Sequence, residues 1–117
     1  MVQNFRHFKA GPDPSGCTWD VDFLWLQTAI AIRHSDSVDV KFLLSGGGAR
    51  IEKVIALPHP GLLELSRETG RALTDPWCME LAALHLMHMV ETGGDLEKAP
   101  ATVTAEELAK YDAMLAA

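Results

Sequence analysis

His85 and His88 are the residues whose type and spacing best suit chemistry in this chain. They stand three positions apart in a segment with helical character, so both imidazole rings could reach one point from the same side of a helix. With Glu91 three positions further on, they predict a pocket for a small ligand or a metal ion. The pair lacks the Glu-x-x-His or His-Glu-x-x-His frame of helical metal sites. We therefore assign His85, His88 and Glu91 as candidate ligand-binding residues and expect no resident metal and no cofactor.

Neighbouring sulfur side chains offer weaker hypotheses. Met87 and Met89 could suggest a soft metal, but methionine on an apolar helix usually fills irregular gaps. Cys78 stands in the first turn of the same helix, where the helix dipole lowers a thiol pKa. It lies roughly 10 Å along the axis from His85, which is too far for a thiolate–imidazole pair. A buried structural thiol is the favoured interpretation.

Asp20 and Asp22 fall on one face if their segment is a strand, with Trp19 and Trp25 close in sequence. Paired carboxylates near aromatic rings can do acid–base work on sugars. Nothing else in the chain supports a sugar cleft, so solvated aspartates are favoured. The glycines at 46–48 lack the frame of a phosphate-binding loop and predict a turn. No catalytic residue is assigned, and we expect a non-enzyme.

Composition limits the classes of protein to which the chain can belong. Its 117 residues fit one domain, and its net charge is −6, with ten Lys and Arg scattered along the sequence. Nucleic acid and anionic membrane surfaces attract basic clusters, so neither partner is expected. The longest apolar stretch, residues 23–32, has about ten residues, where a membrane span needs about 20. Two cysteines and a start without a leader-like apolar run favour a cytoplasmic protein with reduced thiols.

The segment 74–93 predicts a helix that is apolar nearly all round. Thr74 or Asp75 caps this helix, Pro76 occupies its first turn, and Gly93 ends it. Such a helix, over about 76–92, must be covered from several directions. The cover comes either from the rest of this chain or from a second copy of it.

Two shorter helices flank this central one. Pro60 suits the first position of the earlier helix, and Gly70 suits the left-handed cap after it. Thr104 and Glu107 form a capping box that begins the last helix, after a polar linker at 93–101. The last helix carries a narrow apolar stripe of Leu108, Tyr111 and Leu115.

The clearest strands flank the glycine turn. Apolar residues alternate on both arms, so pairing across the turn makes one face of the hairpin apolar. The predicted pairs are Leu44 with Ile51, Val40 with Ile55, and Val38 with Leu57. Upstream, alternating residues precede a turn at 33–37, namely Leu24, Leu26, Ile30 and Ile32. A helical face of Trp19, Phe23, Leu26 and Ile30 competes with this pattern, and a strand is favoured.

Strands followed by helices predict an α+β fold. We expect a three-stranded antiparallel meander followed by three helices packed on one of its faces. Residues 1–18 would be an N-terminal arm or loop, and residues 19–117 a single domain. Because so few elements offer limited cover for the central helix, we expect a homodimer. The partner would cover the side of Leu84 and Met87 or the exposed sheet edge.

The leading functional interpretation is a small, soluble protein of bacterial type that acts as a non-enzymatic protein-interaction or regulatory module. It rests on the lack of a catalytic constellation, a phosphate loop or a basic patch in the sequence. The alternative is a small-ligand or metal-binding protein, which could include an enzyme, with its pocket near His85, His88 and Glu91.

Overall fold

Alternating apolar residues in the first half of the chain build an antiparallel sheet, which three helices then cover. The computed structural model describes residues 5–29, 37–93 and 101–116. The strands are β1 (His7–Ala10), β2 (Trp19–Ala29), β3 (Ser37–Gly46), β4 (Ala49–Pro58) and β5 (Ala101–Thr102). They lie in that order across one sheet, with β1 to β4 antiparallel and the two-residue β5 parallel to β4. The α+β class with an antiparallel sheet is therefore confirmed.

The β3–β4 hairpin forms in the predicted register. Its pairs include Leu44 with Ile51, Val40 with Ile55, and Val38 with Leu57. The reversal is a two-residue turn, because Gly46 pairs with Ala49 across it. Gly47 and Gly48 take φ angles of 55° and 81° there. Positive φ at both central positions is the geometry that glycine supplies to a tight hairpin.

Segment β2 is a strand, as favoured, but a bulge between Phe23 and Trp25 interrupts its alternation. The bulge leaves Leu24 at 41% exposure, although it was predicted to share the apolar face with Leu26. An extra residue in one strand turns the following side chains to the opposite face. Ile30, Ile32 and the first four residues of the turn predicted at 33–37 lie outside the described residues, and Ser37, the last residue of that turn, belongs to β3.

The prediction of three strands is wrong, because within the described residues the antiparallel sheet has four strands and β5 adds a short fifth. The missed antiparallel strand is β1, within the segment predicted as an arm. Its alternation covers only two buried residues, Phe8 and Ala10, which is too short a pattern to distinguish from a loop. The Asp13 carboxylate orders the turn that follows, accepting hydrogen bonds from Ser15, Cys17 and Trp19. The Ser15 and Cys17 bonds lower the pKa of Asp13 to about 2.

The helices begin and end where capping chemistry predicts. They are α1 (His59–Thr69), α2 (Asp75–Thr92) and α3 (Ala105–Ala116). Gly70 and Gly93 close α1 and α2 in the left-handed conformation. Thr74 caps α2 by accepting a hydrogen bond from the Trp77 amide. Ahead of α3, Thr104 and Glu107 exchange amide-to-side-chain bonds of 3.1 and 3.2 Å, which is the predicted capping box.

Helix α2 lies at the centre of the molecule, against the sheet and beside α3. Its fully buried side chains are Leu81, Ala82, Ala83 and Leu86, and Val90 is almost so. The buried residues of β3 and β4 share one sheet face, the one that the helices cover. A single chain thus shields most of α2, and its side at Leu84 and Met87 stays half-buried. No helix in the described ranges is long and apolar enough to cross a membrane.

Candidate functional site

A groove between α2 and α3 brings together part of the predicted site. One wall comes from α2, with Leu84, Met87, His88 and Glu91, and the other from α3, with Lys110, Tyr111 and Met114. Its volume is about 240 Å³. Two of the three predicted ligand-binding residues therefore line one concave surface. His85 does not line it, because its side chain points into the junction between the helices.

His85 links the two helices beneath this groove. The imidazole is 6% exposed, and its Nδ1 lies 2.8 Å from the Tyr111 hydroxyl and 3.5 Å from Glu107 Oε2. The Tyr111 hydroxyl also bonds to the Glu107 carboxylate. A hydroxyl has one proton, so Tyr111 donates either to Nδ1 or to Glu107. In the second case His85 Nδ1 donates to the Tyr111 hydroxyl and that hydroxyl donates to Glu107, so each of the three groups has a hydrogen-bond partner.

Electrostatics keep this trio in its ordinary protonation states near neutral pH. Burial lowers the pKa of His85; Glu107 opposes that shift, and His88 and Lys53 add to it. Burial, and then the Glu107 charge, raise the pKa of Tyr111 to about 12. Partial burial works against ionisation of Glu107, but the Thr104 amide and His85 bring its pKa below the usual value. The trio is a neutral imidazole, a phenol and a carboxylate, with no activated nucleophile among them.

A second buried polar contact joins α3 to the rest of the fold. Asp112 Oδ1 accepts a hydrogen bond of 3.0 Å from the Trp77 indole and lies 2.9 Å from Arg71 Nε. Asp112 is buried, whereas Arg71 is partly exposed. Tyr111 and Asp112 are neighbours in sequence, so one turn of α3 makes both polar contacts. The orientation of α3, and hence the shape of the groove, is fixed by specific hydrogen bonds as well as by apolar packing.

The other sequence candidates lie apart from this groove. Cys78 is buried, and burial, helped by the Asp75 charge, raises its pKa to about 11. Desolvation thus outweighs the helix dipole, and the thiol is structural. Asp22 Oδ1 lies 2.6 Å from His7 Nδ1 on the neighbouring strand, in an exposed contact. Asp20 is exposed as well, so both aspartates lie at the solvated surface. No group of three or more His, Cys, Asp or Glu within the described segments is placed to hold a metal ion.

Sequence reasoning missed the residues that α3 brings to the site. Glu107, Tyr111 and Met114 follow a spacing of four and three, which places them on one helical face. Tyr111 was assigned to the apolar stripe, and its hydroxyl was not given a partner. A buried tyrosine usually bonds its hydroxyl, and that rule with the His85 prediction could have joined the two helices. Lys110 and Met114 carried no signal, because a single exposed lysine or methionine is ordinary on a helix.

Comparison of the chain with protein-family models, with curated proteins and with solved structures finds no significant match.

Proposed function

We propose that this protein is a non-enzymatic interaction module that works as a homodimer, and that the groove between α2 and α3 is its contact surface. The observation that carries the proposal is the character of that groove. Its lining combines apolar side chains from both helices with a carboxylate on the α2 wall and an ammonium group on the α3 wall.

Three apolar side chains in the lining of the groove are partly accessible to water. Met114 is 49% exposed, the largest exposed fraction among the exposed large apolar side chains of the described segments. It shares the groove with Leu84 and Met87, which are half-buried. Methionine and leucine adapt to a partner surface and release water when covered. A patch of this kind gains stability when a second apolar surface covers it.

The charges on the two walls make the groove complementary to itself. Glu91 stands on the α2 wall and Lys110 on the α3 wall. In a twofold dimer each contact occurs twice, with the roles of the two chains exchanged. The α2 wall of one chain can then face the α3 wall of its partner, so that Glu91 meets the partner's Lys110 in both halves. A groove lined by charges of one sign would repel a second copy, whereas Glu91 and Lys110 offer charges of opposite sign.

The dimensions of the groove favour a protein surface over a small-molecule site. Its volume of about 240 Å³ is below the roughly 300–1,000 Å³ of typical ligand pockets. In the polar trio below it, the pKa of Tyr111 is raised to about 12, so this hydroxyl is not an activated nucleophile. Shape and chemistry together support binding through surfaces instead of catalysis.

Met114→Lys should turn the dimer into a monomer. A lysine in the proposed interface would replace an apolar contact by a charge that must lose water, so we expect the dimer dissociation constant to rise by about tenfold or more. Sedimentation equilibrium over a range of concentrations measures that constant. Leu63→Lys is the matched control, because Leu63 is similarly exposed at 43% but lies on α1 outside the groove; it should remain dimeric.

Charge exchange tests the pairing itself. Glu91→Lys and Lys110→Glu should each weaken the dimer, and the double variant should recover much of the loss because the two charges are again opposite. A wild-type protein that stays monomeric at high micromolar concentration contradicts the proposal. So does a double variant that is as weak as the two single losses combined.

The alternative function is a ligand or metal site at His88 and Glu91, which line the same groove. Elemental analysis of untagged protein separates it from the dimer proposal. Stoichiometric metal that disappears in a His85→Ala/His88→Ala variant would favour the alternative.

A further inference from the structure

We propose that protonation of His85 loosens the docking of α3 on α2 and thereby dissolves the dimer surface at acidic pH. The inference rests on the proposed dimer for its functional meaning. It concerns the regulation of the same groove, and the movement of α3 can be measured in the monomer as well.

The geometry places one titratable group where α3 must cover it. His85 is almost completely buried, and its Nδ1 contacts the Tyr111 hydroxyl and approaches Glu107, both on α3. Tyr111 in turn forms part of the groove. If α3 moves away, His85 meets water and the groove loses one wall in the same step.

Charged groups on three elements influence the free energy of protonating His85. His88 lies on α2 itself, Glu107 on α3, and the buried Lys53 on β4. Glu107 favours the imidazolium, whereas Lys53, His88 and burial oppose it, and burial is the largest of these effects. Tyr111, the remaining titratable neighbour, is a neutral phenol at these pH values. The docked state therefore holds the proton less tightly than a state in which His85 is hydrated.

The sign of the pH dependence follows from this difference. The pKa of His85 in the docked protein lies below its ordinary value of 6.5. Above pH 6.5 His85 is mostly neutral in both the docked and the undocked state, so protonation does not weaken docking. As the pH falls below about 6.5, the undocked state binds more protons than the docked one, so the equilibrium moves toward undocking. Below its own ordinary value of 4.5, Glu107 adds a loss of the same sign, because its pKa is lowered as well.

Helix α3 is the element best placed to respond. It is twelve residues long. Its fully or nearly fully buried side chains are Leu108, Tyr111 and Asp112. A short helix with few buried contacts opens at a lower free energy than the core, so a modest change in protonation energy is enough to alter the exchange of its amides.

Hydrogen–deuterium exchange of the α3 amides between pH 5 and 7.5, corrected for the intrinsic rate, tests the inference in the intact protein. We expect α3 of the wild type to exchange faster by about threefold or more at the acidic end, with α2 unchanged. His85→Gln keeps a polar side chain but cannot take the proton, so its α3 exchange should not vary with pH. His88→Gln retains His85, so its α3 exchange should still rise at the acidic end, by less than in the wild type because His88 adds to the lowered pKa of His85. Dimer dissociation should rise over the same pH range in the wild type and not in His85→Gln.

Two readouts keep the outcomes distinct. If α3 responds as expected but no dimer forms at any pH, the proposed function fails and the inference about His85 stands. If α3 exchange is independent of pH in the wild type, or His85→Gln keeps the pH dependence, the inference is overturned. Should His85→Gln fail to fold, an NMR titration of the wild type decides. The His85 ring and the α3 amide shifts must then share one midpoint, and different midpoints contradict the coupling.

Discussion

Leu86→Ala should lower the free energy of unfolding by about 3–4 kcal/mol. Leu86 is completely buried on α2, the helix that the sheet and α3 cover. Truncation removes apolar contacts and leaves a cavity that close-packed neighbours cannot fill. Urea denaturation followed by far-UV circular dichroism gives the value, and the slope of the transition checks that unfolding stays two-state.

Leu63→Ala provides the matched comparison. The same atoms are removed from a helix, but Leu63 is 43% exposed, so we expect a change within about 0.5 kcal/mol. Equal losses for the two variants would mean that α2 is not the centre of the core.

Asp112→Ala should cost about 2–3 kcal/mol. The substitution leaves the Trp77 indole without an acceptor inside the core, and it also removes the partner of Arg71. Because Arg71 is partly exposed and can regain water, the expected loss lies below that of breaking a fully buried ion pair. The same urea transitions measure it, and α3 amide exchange should rise in parallel.

Asp112→Asn separates the hydrogen bond from the charge. The amide oxygen can still accept from Trp77, so we expect it to lose less than Asp112→Ala. Asp20→Ala, on the exposed face of β2, is the surface control and should stay within about 0.5 kcal/mol. If Asp112→Ala were as mild as the surface control, the hydrogen bonds of α3 would not position it.

Local chemistry in the sequence was enough to predict most of the helices and the central hairpin. Thr74, Gly70 and Gly93 act through their own backbone neighbourhood, and the Thr104–Glu107 box does the same. The β3–β4 register follows from alternation on two adjacent arms joined by glycines. In each case the deciding contacts lie within a few residues along the chain.

Features that depend on distant contacts could not be read in the same way. Strand β1 has two buried residues, and only its partner β2 shows that it is a strand. The bulge at Leu24 shifts the register of β2, and the alternation of apolar residues alone does not show where that shift occurs. Within the site, His88 and Glu91 were found because both project from α2. Tyr111 contacts His85, which lies 26 residues earlier in the sequence, and no local pattern in the sequence predicts such a contact.

An isotope-filtered NMR experiment on a mixture of methyl-labelled and unlabelled protein tests the proposed dimer surface most directly. In such a sample, nuclear Overhauser effects between labelled and unlabelled chains arise only across the interface. We expect them at the methyl groups of Leu84, Met87 and Met114, the apolar part of the groove. Intermolecular effects confined to Leu24 or Leu63, or none at a concentration where the protein sizes as a dimer, would contradict the assignment of this groove as the contact surface.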